Sequence, residues 1–427
     1  MRPPEIRSVP KQELIMTEAT TAAHVGDLPD VPDFPMPRGY ALDPAPTYAR
    51  LRRERPVTQV ALPSGQKAWL VTSYAHVRAL VTDPRISSDH THPNLPMLAP
   101  LRPEDIDTPH EPVNTLVGLD PPEHSAPRRS VIAEFTVRRI QEMRPRIQEI
   151  VDGCVDELIA AGPGSDLVST VAVSVPSQVL SELLGVNPPD REFFHVRASK
   201  MLGRTTSPQE RRTAMMELAI FINGLLIEKD REPTDDLLGR LIVNNRETKV
   251  FTHQGLLHMA YLLLVAGNET TANMISLGTT GLLENPHVLA ELKADPSLIG
   301  RTVEELLRYF TISDVLVRVA KEDIEIEGAT IRANDGVLLC LGSANRDETI
   351  FEDPDKLDIH RGTRHHMAFG YGIHQCLGQN LARAELEIVF TTLFARLPNL
   401  RLAKPLAELP FKFDSNTYGL HELPVQW

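Results

Sequence analysis

A long apolar segment is the feature that most constrains how this chain can fold. From about His253 to Glu284 the residues are strong helix formers with apolar side chains on nearly every side, and Asn285-Pro286 ends the run. A helix of about 32 residues rises about 48 Å, enough to cross a whole domain. Because a helix that is apolar all round must be buried, we expect it at the centre of a large fold.

One stretch of this predicted helix has an unusual composition. Ala266-Gly267-Asn268-Glu269-Thr270-Thr271 places a glycine, an acid and two hydroxyls among buried positions. Glycine weakens a helix by about 1 kcal/mol relative to alanine, and threonine hydroxyls can bond back to carbonyls and bend it. On composition alone, the stretch is either a tolerated kink or a functional site.

A glycine-rich loop with one cysteine follows much later in the chain. Residues 369–378 read Phe-Gly-Tyr-Gly-Ile-His-Gln-Cys-Leu-Gly, and three glycines in ten residues allow positive-φ turns and close approach to a flat or bulky group. Cys376 lies just before a helix predicted from Gln379 to Phe390, whose N-terminus favours a thiolate. Such a thiolate can be a nucleophile, a redox sensor or a metal ligand.

Composition and charge limit the class of protein. The formal net charge of −13 argues against a general nucleic-acid binder. No stretch reaches the ~18 to 20 uninterrupted apolar residues of a membrane span. Cys154 and Cys340 fall in apolar helix and strand patterns, so we expect core residues rather than disulfides. These observations predict a soluble cytoplasmic protein that binds neither nucleic acid nor membrane.

The cysteine loop matches Phe-Gly-x-Gly-x-His-x-Cys-x-Gly and so resembles the haem-binding loop of the cytochrome P-450 superfamily. Further motifs of that family occur in the family's order along the chain. They are His-x-x-x-Arg at His124 and Arg128, Ala-Gly-x-Glu-Thr-Thr from Ala266, and Glu-x-x-Arg at Glu305 and Arg308 with Arg361 as its later partner.

The resemblance implies a mainly α fold with small β-sheets (α+β), in which haem b lies between the long helix and the cysteine loop with its following helix. We expect a flexible leader over residues 1–33 and a single haem-thiolate domain over 34–427. The segment from Ser87 to about Leu119 is rich in Pro, His, Asp and Thr, and a loop of this length predicts a lid over substrate access.

The resemblance also assigns roles to individual residues. Cys376 is expected to be the axial ligand of the haem iron, and Glu269 and Thr270 the catalytic acid and alcohol that organise protons for oxygen activation. The expected propionate ligands are His124, Arg128, Arg318 and His374, and further haem contacts are expected from Ala266, Gly267, Phe369 and Gly370. The expected structural residues are Glu305, Arg308 and Arg361, and the possible substrate contacts are Asn268, Asp314, Val315 and Leu316.

The activity implied is that of a bacterial, actinomycete-type monooxygenase. It would take O2 and two electrons from a ferredoxin and its reductase, and hydroxylate a C–H bond of a hydrophobic small molecule such as a macrolide, a sterol-like compound or another secondary metabolite. We expect a monomer. Basic residues in segments that flank the cysteine side are expected to attract an acidic ferredoxin. They are Arg128, Arg129, Arg364, His365 and Arg383.

Three alternatives stay open at this point. A haem-thiolate peroxygenase or a non-oxygenating member of the family would not need the pair Glu269 and Thr270. A non-haem metal protein or a redox-sensing regulator could use the histidines near Cys376, although no Cys-x-x-Cys spacing is present. A hydrolase with a cysteine nucleophile would need His and Asp partners that the sequence does not identify.

Overall fold

Helices make up most of the secondary structure in the computed structural model, which describes residues 29–98, 115–202, 207–362, 364–413 and 417–427. The helices of this part of the chain are α1 (Thr47–Glu54), α2 (Tyr74–Leu80), α3 (Ser125–Ile132), α4 (Val137–Ala161), α5 (Ser174–Leu184), α6 (Arg191–Leu202), α7 (Pro208–Arg231), α8 (Leu237–Thr248), α9 (His253–Glu284), α10 (Pro286–Ala294), α11 (Ile299–Phe310), α12 (Leu341–Ala344) and α13 (Gln379–Arg396). The strands are β1 (Val57–Ala61), β2 (Lys67–Val71), β3 (Ile86–Ser87), β4 (Val315–Ala320), β5 (Ile324–Ile326), β6 (Ala329–Ile331), β7 (Gly336–Cys340), β8 (Arg401–Leu402) and β9 (Val425–Gln426).

Helix α9 has the bounds predicted from its apolar pattern and lies at the centre of the helical core. The side chain of Thr252 caps it by accepting a hydrogen bond from the Gly255 amide at 3.0 Å. The helix packs against α5, α7, α11 and α13. Apolar residues along its length, such as Leu264, Ile275 and Leu282, are almost completely buried. The burial of this long apolar surface explains why the chain forms one helix here.

The largest sheet packs at the edge of the helical core and has the strand order β1-β2-β7-β4-β3. Strand β7 is buried at every position, as expected for a central strand. It pairs parallel to β2 and antiparallel to β4, where Leu316 faces Leu339 and Arg318 faces Val337. Two further pairs, β5 with β6 and β8 with β9, form small antiparallel ribbons. The architecture confirms the predicted mainly α fold with small sheets.

Some sequence predictions differ from the structure or lie beyond its described part. Helix α4 begins at Val137 and has Pro145 in its interior, where a sequence pattern alone would place a helix boundary. Residues 1–28 of the predicted leader and 99–114 of the predicted lid lie outside the described residues. No described helix combines the length and apolarity that crossing a bilayer requires.

Two helical glycines have opposite surroundings. A Cβ atom added at Gly278 of α9 would lie 2.5 Å from Cζ of Phe390 on α13, whereas one added at Gly153 of α4 would meet nothing within 4 Å. Gly278 therefore permits the close approach of α9 and α13. Gly153 has no such packing function.

We expect Gly278→Ala to lower the free energy of unfolding by about 1–3 kcal/mol, because the added methyl group overpacks the contact with Phe390. The matched variant Gly153→Ala should raise it by about 0.5–1 kcal/mol, because alanine favours the helix. Urea unfolding of both variants measures these changes. Equal effects of the two substitutions would contradict the packing interpretation.

Candidate active site

A largely apolar cavity of about 300 Å³ lies between α9 and the cysteine loop. Its wall on the α9 side includes Leu262, Leu263, Ala266, Gly267, Thr270, Thr271 and Met274. Its opposite wall includes Ala368, Phe369, Gly370, His374, Cys376, Leu377, Leu381 and Glu385. The structure thus brings the two predicted motifs to facing walls of one cavity, although they are about a hundred residues apart in the chain.

The glycines of the cysteine loop shape the backbone around the thiol. Gly370 and Gly372 have φ values of 68° and 76°, in the left-handed region that favours glycine. Gly378 does not, with a φ of −80° at the N-cap of α13. The amide of Cys376 donates to the carbonyl of Phe369 at 2.8 Å and closes the loop. The fold therefore presents Cys376 Sγ to the cavity from the start of α13.

Burial raises the pKa of the Cys376 thiol, and the amide of Gly378 and the charges of Arg128 and Arg383 oppose this effect without reversing it. The amides at the start of α13 therefore act in the predicted direction, toward the thiolate, but they do not by themselves reverse the shift. The loss of hydration outweighs the helix amides. An electron-pair acceptor on the sulfur, such as a metal ion, is needed to favour the thiolate.

Basic side chains from three segments converge at one end of the cavity. The His124 and His374 rings lie 4.3 Å apart between centroids, and Nε2 of each is buried without a hydrogen-bond partner among the described residues. Burial lowers the pKa of His374 to about 3, with the charge of Arg318 acting in the same direction. Burial also lowers the pKa of Arg318 to about 10. Arg128 donates to the Gln375 carbonyl at 2.5 Å.

This basic cluster fits the two carboxylates of a haem. Unpartnered buried donors and a cation in a water-poor site are costly unless an anion pairs with them. The cavity beside them is apolar and contains one thiol. The residues present therefore match what haem requires: a soft axial ligand, an apolar slot and a cationic end.

The α9 wall contains the predicted alcohol. Thr270 Oγ1 donates to the Ala266 carbonyl at 2.7 Å, the i to i−4 bond that a helical threonine commonly makes. The predicted distortion at Gly267 does not interrupt α9. Gly267 instead lies against α5, because a Cβ atom there would be 3.1 Å from Leu180 Cδ2.

The predicted acid lies behind this wall rather than on it. Glu269 does not line the cavity, and its Oε1 lies 3.6 Å from Nζ of the buried Lys412. Lys412 also donates to Asn273 at 2.9 Å. Asn268, a predicted substrate contact, is buried outside the cavity lining, and its Oδ1 has no partner among the described residues.

Two other predicted substrate contacts also face away from the cavity. Leu316 lines it, but Asp314 and Val315 do not, and Ile312 and Ser313 take their place. Asp314 is buried near the Tyr48 hydroxyl at 3.4 Å, and burial raises its pKa. Proximity to Arg318 in the sequence did not predict which residues line the cavity, because neighbouring side chains in this segment point in different directions.

The predicted scaffold residues form one cluster. Arg308 donates to both carboxylate oxygens of Glu305 at 2.7 and 2.8 Å, and Arg361 Nε lies 3.3 Å from the same carboxylate. Glu305 does not form a capping box with Thr302, which lies inside α11 and donates to the Leu298 carbonyl. None of the three lines the cavity, in agreement with a structural role.

The sequence analysis missed Glu385, a buried acid of α13 that lines the cavity. Its Oε2 has no partner among the described residues, and burial raises its pKa to about 8. The available signal was its spacing: Glu385 is four residues beyond the apolar Leu381 and therefore shares its helix face. By contrast, no three His, Cys, Asp or Glu residues in the described ranges are placed to hold a metal ion together.

Comparisons with known proteins agree with this geometry. Residues 204–424 match the family model "Cytochrome P450". The chain is 46% identical over 410 residues to vitamin D3 dihydroxylase of Streptomyces griseolus, covering 96% of this chain and 100% of that one. It is 48% identical over 394 residues to pentalenic acid synthase of Streptomyces avermitilis, covering 92% and 97%. The crystal structure of cytochrome P450 MoxA from Nonomuraea recticatena superposes with a TM-score of 0.87 at 48% identity, covering 92% and 98%.

The raised pKa of Glu385 predicts that the free energy of unfolding depends on pH. Because its pKa is raised in the folded protein, the protonated acid is favoured there, and stability is lost as pH rises from about 4.5 to about 8. We expect Glu385→Gln to become progressively more stable than the wild type over this range, and the difference to level off above it. The difference should reach a few kcal/mol at most, since one pKa unit corresponds to about 1.4 kcal/mol.

Urea unfolding at several pH values measures this difference. Glu387→Gln is the matched control, because Glu387 lies on the same helix in a partly exposed pair with Arg144. A stability difference for Glu385→Gln that does not change with pH would overturn the prediction.

Proposed function

The chain belongs to the cytochrome P450 family, and from this premise we propose that it is a ferredoxin-dependent haem-thiolate monooxygenase that hydroxylates a hydrophobic small molecule. That it is a cytochrome P450 monooxygenase follows from the family and its relatives. The observation that carries the finer proposal is the apolar cavity with Cys376 on one wall and Thr270 on the other.

Each part of the site has a role toward haem b, the cofactor of this family. Cys376 Sγ would ligate the iron, and His124, Arg128, Arg318 and His374 would bind the propionates. When bound, haem supplies the activation of O2 that inserts one oxygen atom into a C–H bond. The chain provides the ligand, excludes water with the apolar walls and compensates the negative charge of the carboxylates.

We assign proton delivery to the α9 wall. Thr270 lines the cavity at the alcohol position of the family motif, and its hydroxyl proton is donated to the Ala266 carbonyl. Glu269, the neighbouring acid, lies on the far side with Lys412. An acid outside the cavity and an alcohol at its wall can pass protons inward through the alcohol, by way of water or a side-chain rotation.

The cavity supports an apolar substrate. Most lining residues beyond the cysteine wall are aliphatic or aromatic, with Leu116, Val117, Phe135 and Leu180 among them. A pocket of this kind binds by excluding water and orients its ligand through few polar groups. The names of the two relatives above, vitamin D3 dihydroxylase and pentalenic acid synthase, are in keeping with a hydrophobic small-molecule substrate.

We place the ferredoxin on the surface outside the cysteine loop, with a smaller basic set than the sequence suggested. Arg129 and Arg364 are exposed there, and Ile373 adds an apolar contact that is 50% exposed. Arg383 is paired with Glu304, and Arg128 donates to the Gln375 carbonyl of the loop. We therefore leave these two arginines out of the ferredoxin surface. An acidic ferredoxin fits the remaining charges.

The ligand assignment predicts a spectrum. The reduced, haem-loaded protein with carbon monoxide should show the red-shifted Soret band of a thiolate ligand. Cys376→Ala should lose this band completely, because no other described cysteine lines the cavity. Cys154→Ala, which removes a buried cysteine of α4, is the control and should retain it. A retained band in Cys376→Ala would move the ligand elsewhere.

The proton role predicts uncoupling. In Thr270→Ala, with ferredoxin and its reductase, product formed per electron should fall at least several-fold while hydrogen peroxide rises. Thr280→Ala is the matched control, because Thr280 makes the same backbone bond in α9, to the Ser276 carbonyl at 2.9 Å, away from the cavity. A substrate is first selected by the spin-state change of the iron, with vitamin D3 as one probe. Coupling equal to that of the wild type would contradict the role of Thr270, and full turnover with peroxide alone would favour a peroxygenase.

A further inference from the structure

Glu304 and Glu305 are neighbours in α11 but serve different parts of the molecule. Whereas Glu305 binds the scaffold arginines, the carboxylate of Glu304 reaches toward the cysteine loop. Its Oε1 accepts from Arg383 Nε at 2.5 Å, and its Oε2 accepts from Arg383 Nη2 at 3.1 Å and lies 2.9 Å from His366 Nε2. Burial acts to raise the pKa of Glu304, but the bonds from His366 and Arg383 outweigh it and hold the pKa at about 2.

Arg383, the partner of Glu304, also contacts the ring of Phe369. Its guanidinium carbon lies 4.6 Å from the centroid of that ring, in a cation–π arrangement. Its Nη1 also donates to Gln379 Oε1 at 3.0 Å, so both Glu304 and Gln379 hold the guanidinium group in place. The side chain is only 16% exposed. Arg383 is thus a largely buried cation whose position is determined by Glu304.

Phe369 in turn is joined to the thiol-bearing residue. The Phe369 carbonyl accepts the bond from the Cys376 amide. On the other side, the His366 ring lies 6.2 Å from the Phe369 ring, and its Nδ1 accepts from the Ala368 amide at 3.3 Å. A continuous set of contacts therefore connects Glu304 to the ligand loop.

We propose that Glu304 is a positioning residue for the haem-thiolate: it holds the Arg383 cation against Phe369 and neutralises its charge, and this balance sets how strongly Cys376 donates electrons and hence the reduction potential of the iron. The inference rests on the haem-thiolate function proposed above. It assigns to Glu304 an electrostatic task that differs from the structural task of Glu305.

The proposal predicts opposite signs for the two partners. Reduction adds an electron at the haem, so an uncompensated positive charge nearby favours the reduced state and an uncompensated negative charge disfavours it. Glu304→Gln leaves the Arg383 cation unbalanced and should shift the potential to more positive values. Arg383→Gln removes the closest cation of Glu304 and leaves it only His366 and the exposed Arg364, whose Nε lies 3.9 Å from Oε1, and it should shift the potential to more negative values. The double variant should return toward the wild-type potential.

Spectroelectrochemical titration of the haem-loaded full chain at about pH 8, where histidine is generally neutral, measures these shifts. The Soret band of the reduced carbon monoxide complex is recorded for each variant as a second readout. Glu387→Gln is the control. It breaks the pair of Glu387 with Arg144 on α13, the helix that contains Arg383, and should leave the potential unchanged. Opposite shifts of Glu304→Gln and Arg383→Gln with recovery in the double variant support the proposal.

Shifts of the same sign, or no shift beyond that of the control, would overturn it and leave only a structural role. If Glu304→Gln fails to bind haem, Arg383→Lys and Arg383→Gln decide the matter: the lysine variant keeps the charge and should lie closer to the wild type than the glutamine variant. If the wild type itself lacks the thiolate Soret band, the haem-thiolate function has failed rather than the role of Glu304.

Discussion

The ion-pair cluster centred on Glu305 and Arg308 is the interaction on which the site depends. Both side chains are essentially excluded from water, at 1% and 0% exposure, so each charge persists only because its polar atoms have partners. Arg308 also donates to the carbonyls of Asn345, Pro354 and Lys356, which bind the irregular segment before the cysteine loop to α11. The cluster costs desolvation, and what it contributes is a defined position for the chain that leads to Cys376.

Around this scaffold the protein leaves other polar groups without partners. The Nε2 atoms of His124 and His374 and the Oε2 atom of Glu385 are buried and unsatisfied among the described residues, and Arg318 lies beside the two histidines with little compensating charge. In a molecule whose other buried charges are well paired, this concentration at one cavity indicates a bound anion and an apolar cofactor. Haem binding relieves these costs, so it should also stabilise the fold.

How well the sequence predicted the structure depends on the kind of sequence pattern. The apolar run of α9 predicted its bounds, since burial all round leaves no other solution, and the spacing of Phe369, Gly370 and Cys376 predicted a loop that the structure places at the cavity. Sequence patterns predicted less well the direction in which individual side chains point. Asp314 and Val315 were expected to face the cavity and do not, and Arg383 was expected at the surface but is paired with Glu304. Proximity in the sequence does not by itself determine which side of an irregular segment a side chain occupies.

The sequence by itself determined the chemical class: a cysteine between glycines at a helix start, an acid and an alcohol in a buried helix, and the family to which these motifs point. It did so because these requirements are local and can be read within about ten residues. Only the tertiary structure decided that Glu304, the neighbour of the predicted scaffold acid, faces the cysteine loop, that Glu269 lies behind the cavity wall while Glu385 lines it, and where the basic groups converge. These outcomes depend on contacts between α9, α11, α13 and the loops, which are distant in the chain and are brought together only by packing.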